Sequence, residues 1–555
     1  MKRPIKIVFI CLLLFHAINN ILWLSIDGKQ HIGCFVIFHL ERAQEIHENI
    51  NSQGYLHRIT AMLAYLSPEQ LSQKISSNLP SGYAIITLFL SQILFIPLHF
   101  IELTNLIYLA ILLLSTYFLA KQLFDRKTAL ISIFLLSFYP YIYGMSRKFI
   151  AETALIAITA SAYYFLVKTN YFKNIRSSIA LGTVSFIAIL IQPLYTAFIS
   201  GGFLYSVFKI IQKKHTFLAK QLLNIFLCLL IAVSALFFAY EDLHNLKINL
   251  NNTFEDMYIT ATTFSKNFIG NADSGVNNLF LYASPNDHCP CTQVSDRGIN
   301  LRCIFFYFTQ MLDILSPLLG ILFCISIFVT KSNSEKYPGA KTLLLFWIGI
   351  SYLFLILMPQ KWARFYTAAA PAMAILTSAG IMQIKKIKIR KIALVLLAFI
   401  AIVQFFFYSY ILYPHTPPLC IIKEYINAHK PLKTNYSETA LEIAKSIHLT
   451  AKDKSRIKIG FFSLVTFSDR FSERWYNDAT YYFRFLLNLY KQPNACITLK
   501  WALSEEIIKE ESYDYIILLQ DNFILPEEIS DNYELIDKAQ LHPSEISVSH
   551  YKLNN

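Results

Sequence analysis

Apolar runs of about 17–25 residues recur through the first three quarters of the chain, each the length of an α-helix that crosses a hydrocarbon core of about 30 Å. The pattern predicts a polytopic α-helical membrane protein. The first run covers about residues 6–24. Lys2, Arg3 and Lys6 precede it and hold that flank in the cytoplasm. No small-x-small cleavage pattern follows, so the run reads as an uncleaved span rather than a signal peptide. Residues 25–82 form a polar stretch with amphipathic pieces such as ERAQEIHENI, and Pro80-Ser81-Gly82 closes it. The next apolar piece, about 83–100, is broken by Pro97 and His99 and is followed by Glu102.

Loop charge sets the orientation of the rest. Spans at about 104–120 and 128–145 flank Lys121, Arg126 and Lys127, and a basic loop belongs in the cytoplasm. The 83–100 piece is therefore expected not to cross. With that choice the basic clusters after the later spans all fall inside: Lys168, Lys173 and Arg176; Lys209, Lys213 and Lys214; Lys331, Lys336 and Lys341; and Lys385, Lys386, Lys388, Arg390 and Lys391. The spans they close are expected near 150–167, 194–210, 304–330 and 366–384, with a hinge at Gln192-Pro193 between two shorter runs. About eleven spans and one juxtamembrane helix result, with the N-terminus inside and the C-terminus outside.

Past about residue 413 the chain changes character. Tyr413-Pro414 and Pro417-Pro418 mark a linker, after which amphipathic helical stretches alternate with strand-like runs, RIKIGFFSLV, ACITLKWAL and YDYIILLQD. The expected organisation is a transmembrane module over 1–412, with outer loops at 25–82 and 241–303, and a small extracytoplasmic α/β domain over 413–555. None of the 16 glycines clusters in that tail, so no nucleotide-binding glycine loop is present there.

Composition agrees with the periodicity. Of 555 residues, 55% are hydrophobic and 15% charged, against about 25% charged in soluble domains. The net charge of +13 is accounted for by cytoplasmic anchors, so no nucleic-acid partner is expected. Cys11, Cys228 and Cys324 fall inside apolar spans and read as small core residues. Cys289, Cys291 and Cys303 share one outer loop, where a disulfide would leave one thiol over; His288 beside them does not complete a zinc spacing.

The informative charges are those on the side away from the basic clusters. Asp27 follows the first span, with His31 four residues on and so on the same face of a helix. A partly desolvated carboxylate at the membrane rim can act as a base toward a hydroxyl; the plainer reading is a helix-end residue in solvent. SRKFIAETAL joins two spans with almost no loop and forces Arg147, Lys148 and Glu152 to the outer mouth. Lys361 and Arg364 repeat the oddity in a second short outer loop. Snorkelling anchors would explain one such loop, but a phosphate site explains two, since a guanidinium presents a planar fork of donors to phosphate.

The order of these features resembles the GT-C superfamily of glycosyltransferases that use lipid-phosphate sugars: an acid after span 1, "SR…E" between two early spans, a hinge-proline pair and "K…RF/Y…P…G" late in the chain. The resemblance spans about residues 5–410 and is nearest to bacterial relatives of protein O-mannosyltransferases and aminoarabinose transferase. It implies a GT-C-like fold in a bacterial inner (plasma) membrane and transfer of a hexose or pentose from a polyprenyl-phosphate donor to a glycan, lipid A-like lipid or protein acceptor outside. It also implies Asp27 and Glu152 as the catalytic acids and Arg364, Lys361 and Arg147 as donor-phosphate residues. His31, Glu41 and Glu45 are candidates for an acceptor or metal site, Glu41 and Glu45 also as alternatives to Asp27, because Gly28 stands where the family often has a second acid. Mg2+ or Mn2+ is the cofactor such carboxylates would take. The rival functions are a transporter or flippase of lipid-linked glycans, expected to show inverted repeats and mid-span charges; a polymerase or ligase, expected to carry a late basic loop; and a scaffold with no need to gather Asp27, Glu152 and Arg364 in one place.

Overall fold

A computed structural model of the chain describes residues 3–27, 82–94, 98–212, 218–239, 314–331, 337–357, 363–406, five strands between 457 and 553, and the single positions 96, 307, 308, 311 and 409. Its contacts form two units, Met1–Ile21 with Glu45–Lys430 and Leu22–Gln44 with Pro431–Asn555.

The first unit is helical. Helix α1 runs Arg3–Asp27, and its residues from Leu22 onward group with the second unit. Next come α2 (Gly82–Ile93), a 3-10 turn (Leu98–Thr104), α3 (Asn105–Leu123) and α4 (Arg126–Ser137). These are followed by α5 (Pro140–Met145), α6 (Ala151–Lys168), α7 (Ile175–Ile191), α8 (Tyr195–Gln212) and α9 (Leu218–Ala239). The later helices are α10 (Pro317–Val329), α11 (Ala340–Leu357), α12 (Ala363–Tyr366), a 3-10 turn (Thr367–Ala369), α13 (Ala370–Met382) and α14 (Ile387–Phe406).

Three helical stretches among the described residues are long and apolar enough to cross a membrane by themselves, Ile101–Leu123, Arg364–Met382 and Ile387–Phe406, and shorter apolar helices surround them. This is an integral membrane protein. Its outer surface is apolar, with Val395 69% and Phe399 64% exposed on α14. Such a face suits lipid and would be a liability in water.

Proline explains where the expected spans are interrupted. The run expected as one span over about 128–145 breaks at Tyr139, whose backbone is extended before Pro140, and resumes as α5. Within the span expected near 304–330, helix α10 starts at Pro317, after Ser316 at φ 74°. The Gln192-Pro193 hinge separates α7 from α8 as expected, with Gln192 extended. The 83–100 piece is not one helix. Its α-helical part, α2, has 12 residues, about 18 Å, short of a hydrocarbon core of about 30 Å.

Helix α13 is the axis of this unit. It packs on α4, α10, α11, α6 and α3, and every residue from Ala370 to Ile381 is buried. Its sequence, APAMAILTSAGIM, is rich in small side chains, which let neighbouring backbones come close from all sides. Ser326 and Thr330 of α10 donate hydroxyl hydrogen bonds to the Thr377 and Leu376 carbonyls of α13. Tyr163 of α6 stacks on Trp347 of α11 at 3.7 Å and donates from its hydroxyl to the Phe198 carbonyl of α8. Of the three intramembrane cysteines, Cys228 is buried as expected, whereas Cys11 is exposed on the outer face of α1 and Cys324 is intermediate. Cys11 is therefore a lipid-facing residue and not a core one.

The second unit contains a five-stranded sheet in the order β2-β1-β3-β5-β4: β1 Ile457–Ser463, β2 Ile497–Ala502, β3 Tyr515–Gln520, β4 Tyr533–Gln540 and β5 Ser547–Leu553. β1 pairs in parallel with β2 and β3, while β5 is antiparallel to β3 and β4. The first three strands are the apolar runs singled out in the sequence. The helical stretches expected between them lie outside the described residues.

A close helix contact gives a direct test of this packing. A Cβ built on Gly201 of α8 would stand 2.3 Å from the Phe346 carbonyl oxygen of α11, a backbone atom that cannot step aside, whereas one on Gly349 meets nothing within 4 Å. Gly201→Ala should cost about 1–3 kcal/mol in detergent thermal-unfolding measurements, while Gly349→Ala should be neutral or slightly stabilising because alanine is the better helix former by about 0.8–1.0 kcal/mol.

Candidate active site

The site is built at the ends of helices opposite the basic clusters. Glu152 lies in the first turn of α6 and Lys168 in its last, so the helix sets them about 24 Å apart along its axis. Glu152 is 5% exposed. A carboxylate at that end is favoured by the unpaired N–H groups of the first turn.

Glu152 meets Arg364 across the bundle. Nε of Arg364 lies 3.0 Å from Oε1 of Glu152, with side chains 18% and 7% exposed. The approach is off the N–H axis, so charge holds the pair more than a directed hydrogen bond does. The chain brings Arg364 there because α12 leads into the 3-10 turn Thr367–Ala369, which precedes α13 and packs against α6. The Thr367 hydroxyl donates to the Arg364 carbonyl and fixes the turn. Three tyrosine rings, Tyr307, Tyr352 and Tyr366, gather with centroids 5.7–6.4 Å apart, and Tyr366 is two residues past Arg364.

Arg147 stands in the turn between α5 and α6 and is 2% exposed. Its Nε donates to Asn20 Oδ1 of α1 at 3.3 Å and its Nη2 to Ser409 Oγ at 3.1 Å. The faces of Tyr143 and Phe405 lie 5.1 and 5.4 Å from its Cζ, a cation–π setting. Asn20 in turn donates to Ser146 Oγ at 3.1 Å. Arg147 thus clasps the first helix to the α5–α6 turn and to Ser409. Beside it, Asn105 opens α3, donates to the Lys148 carbonyl and accepts from the Tyr83 hydroxyl at 3.3 Å. Two buried asparagines therefore hold the short turn from which both Arg147 and Glu152 project.

Of the residues expected from the sequence, Glu152 and Arg364 come together and Arg147 lies five residues before Glu152 in the same turn. Asp27 is the last residue of α1; its side chain, together with His31, Glu41, Glu45 and Lys361, lies outside the described residues, as do His288, Cys289, Cys291 and Cys303. Asn20, Asn105, Tyr83 and Ser409 were not singled out. His16, Asn19 and Asn20 in an apolar run were the available signal, since polar groups inside a span are costly and mark interior contacts. No group of three His, Cys, Asp or Glu side chains able to hold a metal ion occurs among the described residues. With a guanidinium against Glu152, its carboxylate is a poor ligand for Mg2+ or Mn2+.

The family model described as dolichyl-phosphate-mannose-protein mannosyltransferase matches residues 59–238. The fold of ArnT from Cupriavidus metallidurans bound to undecaprenyl phosphate aligns with 99% of this chain and 98% of that one at TM-score 0.54 and 9% identity. The chain has an ArnT-like fold, and residues 59–238 carry the pattern of that mannosyltransferase family. The apo form of the same ArnT aligns over 85% of this chain and 87% of that one, at TM-score 0.50 and 9% identity. Among curated proteins, none matches this chain in sequence.

The Arg147 clasp is open to a stability test. Asn20→Ala removes the acceptor of the Arg147 Nε and the donor to Ser146, both buried. Leaving buried polar groups unmatched should cost about 1–3 kcal/mol, read as a lower thermal-unfolding midpoint in detergent.

Proposed function

We propose that this chain is a GT-C glycosyltransferase that transfers a hexose or pentose from a polyprenyl-phosphate donor to an acceptor hydroxyl or amine of a glycan, lipid or protein on the extracytoplasmic face of a bacterial inner membrane. The observation that carries the reading is the meeting of Glu152 and Arg364 at helix ends opposite the basic clusters. The ArnT structure of similar fold holds undecaprenyl phosphate, which supports a donor of that chemical class here.

In this reading the donor's prenyl tail lies in the bilayer and its phosphate meets Arg364, with Lys361 adding charge from the same loop. Asp27 accepts the proton of the acceptor. The acceptor oxygen or nitrogen bonds to the anomeric carbon as the bond from that carbon to the phosphate oxygen breaks. The electron pair stays on the polyprenyl phosphate, and a single displacement inverts the anomeric centre. Glu152 pairs with Arg364 when no donor is bound, and Arg147 holds the turn from which Glu152 projects. His31, Glu41 and Glu45 belong to the outer loop expected to face the acceptor. Residues 1–412 form the transferase module, with about eleven spans and a non-crossing segment at 83–100; residues 413–555 form an α/β domain outside.

Two measurements test the proposal. In membranes supplied with labelled lipid-linked sugar, Asp27→Asn should lower turnover by about 10²–10⁴, and Arg364→Ala by about 10²–10³; unimpaired turnover of D27N removes Asp27 from the mechanism. Single cysteines at positions 27, 152 and 364 should react with a membrane-impermeant thiol reagent from the outside and one at 388 only from the inside. Labelling of 27 and 364 from opposite sides would end the transferase reading.

A further inference from the structure

Arg364 is not waiting bare for a phosphate. A carboxylate already stands against it, at 3.0 Å. The two partners differ in access: Glu152 is the more enclosed, 7% exposed against 18% for Arg364. Glu152 is also anchored in the first turn of α6, where the helix end favours its charged form. Arg364 sits instead in the four-residue α12, after which the backbone turns through a 3-10 segment. The cation is therefore the more accessible member and the anion the fixed one. The contact is also off the N–H axis, so it lacks the directed fork geometry that a bidentate oxyanion takes from a guanidinium.

From this geometry we infer that Glu152 is an internal competitor for the phosphate site, an anion that holds Arg364 between turnovers and takes it back from the departing polyprenyl phosphate. The inference rests on the donor reading above and concerns the regulation of that same site. A donor phosphate draws Arg364 away from Glu152 because it offers a planar fork two oxygens at once. After transfer, the leaving phosphate carries more negative charge than the diester did and would be held tightly. A fixed carboxylate beside the cation weakens that grip by supplying an alternative partner and by repelling the product. The ion pair thus favours product release at the expense of ground-state affinity for the lipid phosphate.

Binding of undecaprenyl phosphate to the purified full chain in detergent, measured with wild type, Glu152→Gln and Arg364→Ala, tests this. Glutamine keeps the shape and removes the charge. E152Q should bind undecaprenyl phosphate about threefold to tenfold more tightly than wild type, where tenfold equals about 1.4 kcal/mol. In the transferase assay its kcat and KM should fall together, the pattern of a lost ground-state competitor. A merely structural Glu152 would lower kcat with weaker or unchanged lipid binding, and that result overturns the inference. Glu152→Asp, which keeps the carboxylate but retracts it, should fall between wild type and E152Q, and it serves as the readout if E152Q does not fold. If wild type fails to bind undecaprenyl phosphate, or R364A binds it as well as wild type, the donor reading itself fails. If R364A weakens binding and neither E152Q nor E152D strengthens it, only the competition fails.

Discussion

Charge at the rim of a membrane bundle has to be matched within the protein, because the helix ends that carry it are walled by apolar side chains and lipid. The contact between Glu152 and Arg364 meets that constraint. It joins the start of α6 to the segment leading into α13, two elements more than two hundred residues apart in sequence. It also places a cation and an anion side by side at the one end of the bundle where basic anchors are otherwise scarce. A lone guanidinium there would be costly, and so would a lone carboxylate.

The remainder of the helical unit can be seen as support for that meeting. Helix α13 can sit at the centre because its side chains are small, and its neighbours can therefore approach from every side. Polar groups hold the shell in register. Asn105 pins the Lys148 carbonyl, Asn20 and Ser409 take the Arg147 guanidinium, and hydroxyls of α10 bond to carbonyls of α13. Proline sets the breaks, at Pro140, Pro193 and Pro317, so that helix ends fall where the turns are needed. A fold similar to that of ArnT is reached at 9% identity.

Much of the fold was legible along the chain. Apolar runs announced the helices, alternating β-branched and aromatic residues announced β1, β2 and β3, and Gln192-Pro193 announced a hinge. Where the reading erred, the cause was local. The 128–145 run looked continuous because hydropathy does not register the backbone penalty before Pro140. Cys11 looked like a core residue because hydropathy does not tell a lipid-facing side of a helix from a protein-facing one. In the site, Arg147, Glu152 and Arg364 stood out because they break the charge bias of outer loops, whereas Asn20, Asn105, Tyr83 and Ser409 did not, being ordinary uncharged residues whose meaning lies in their partners.

By itself, the order of residues determined that this chain lives in a bilayer, where its helices run, and which outer-loop charges are out of place, because those properties depend on composition and period within a short window. Only the tertiary structure decided which charges meet. Electrostatic pairing falls off over a few ångströms, and the packing of α6 against the turn before α13 brings Glu152 to Arg364 while turning Arg147 inward to Asn20 and Ser409. No one-dimensional pattern carries that distinction, since the two arginines occupy equivalent-looking outer turns and differ only in what surrounds them.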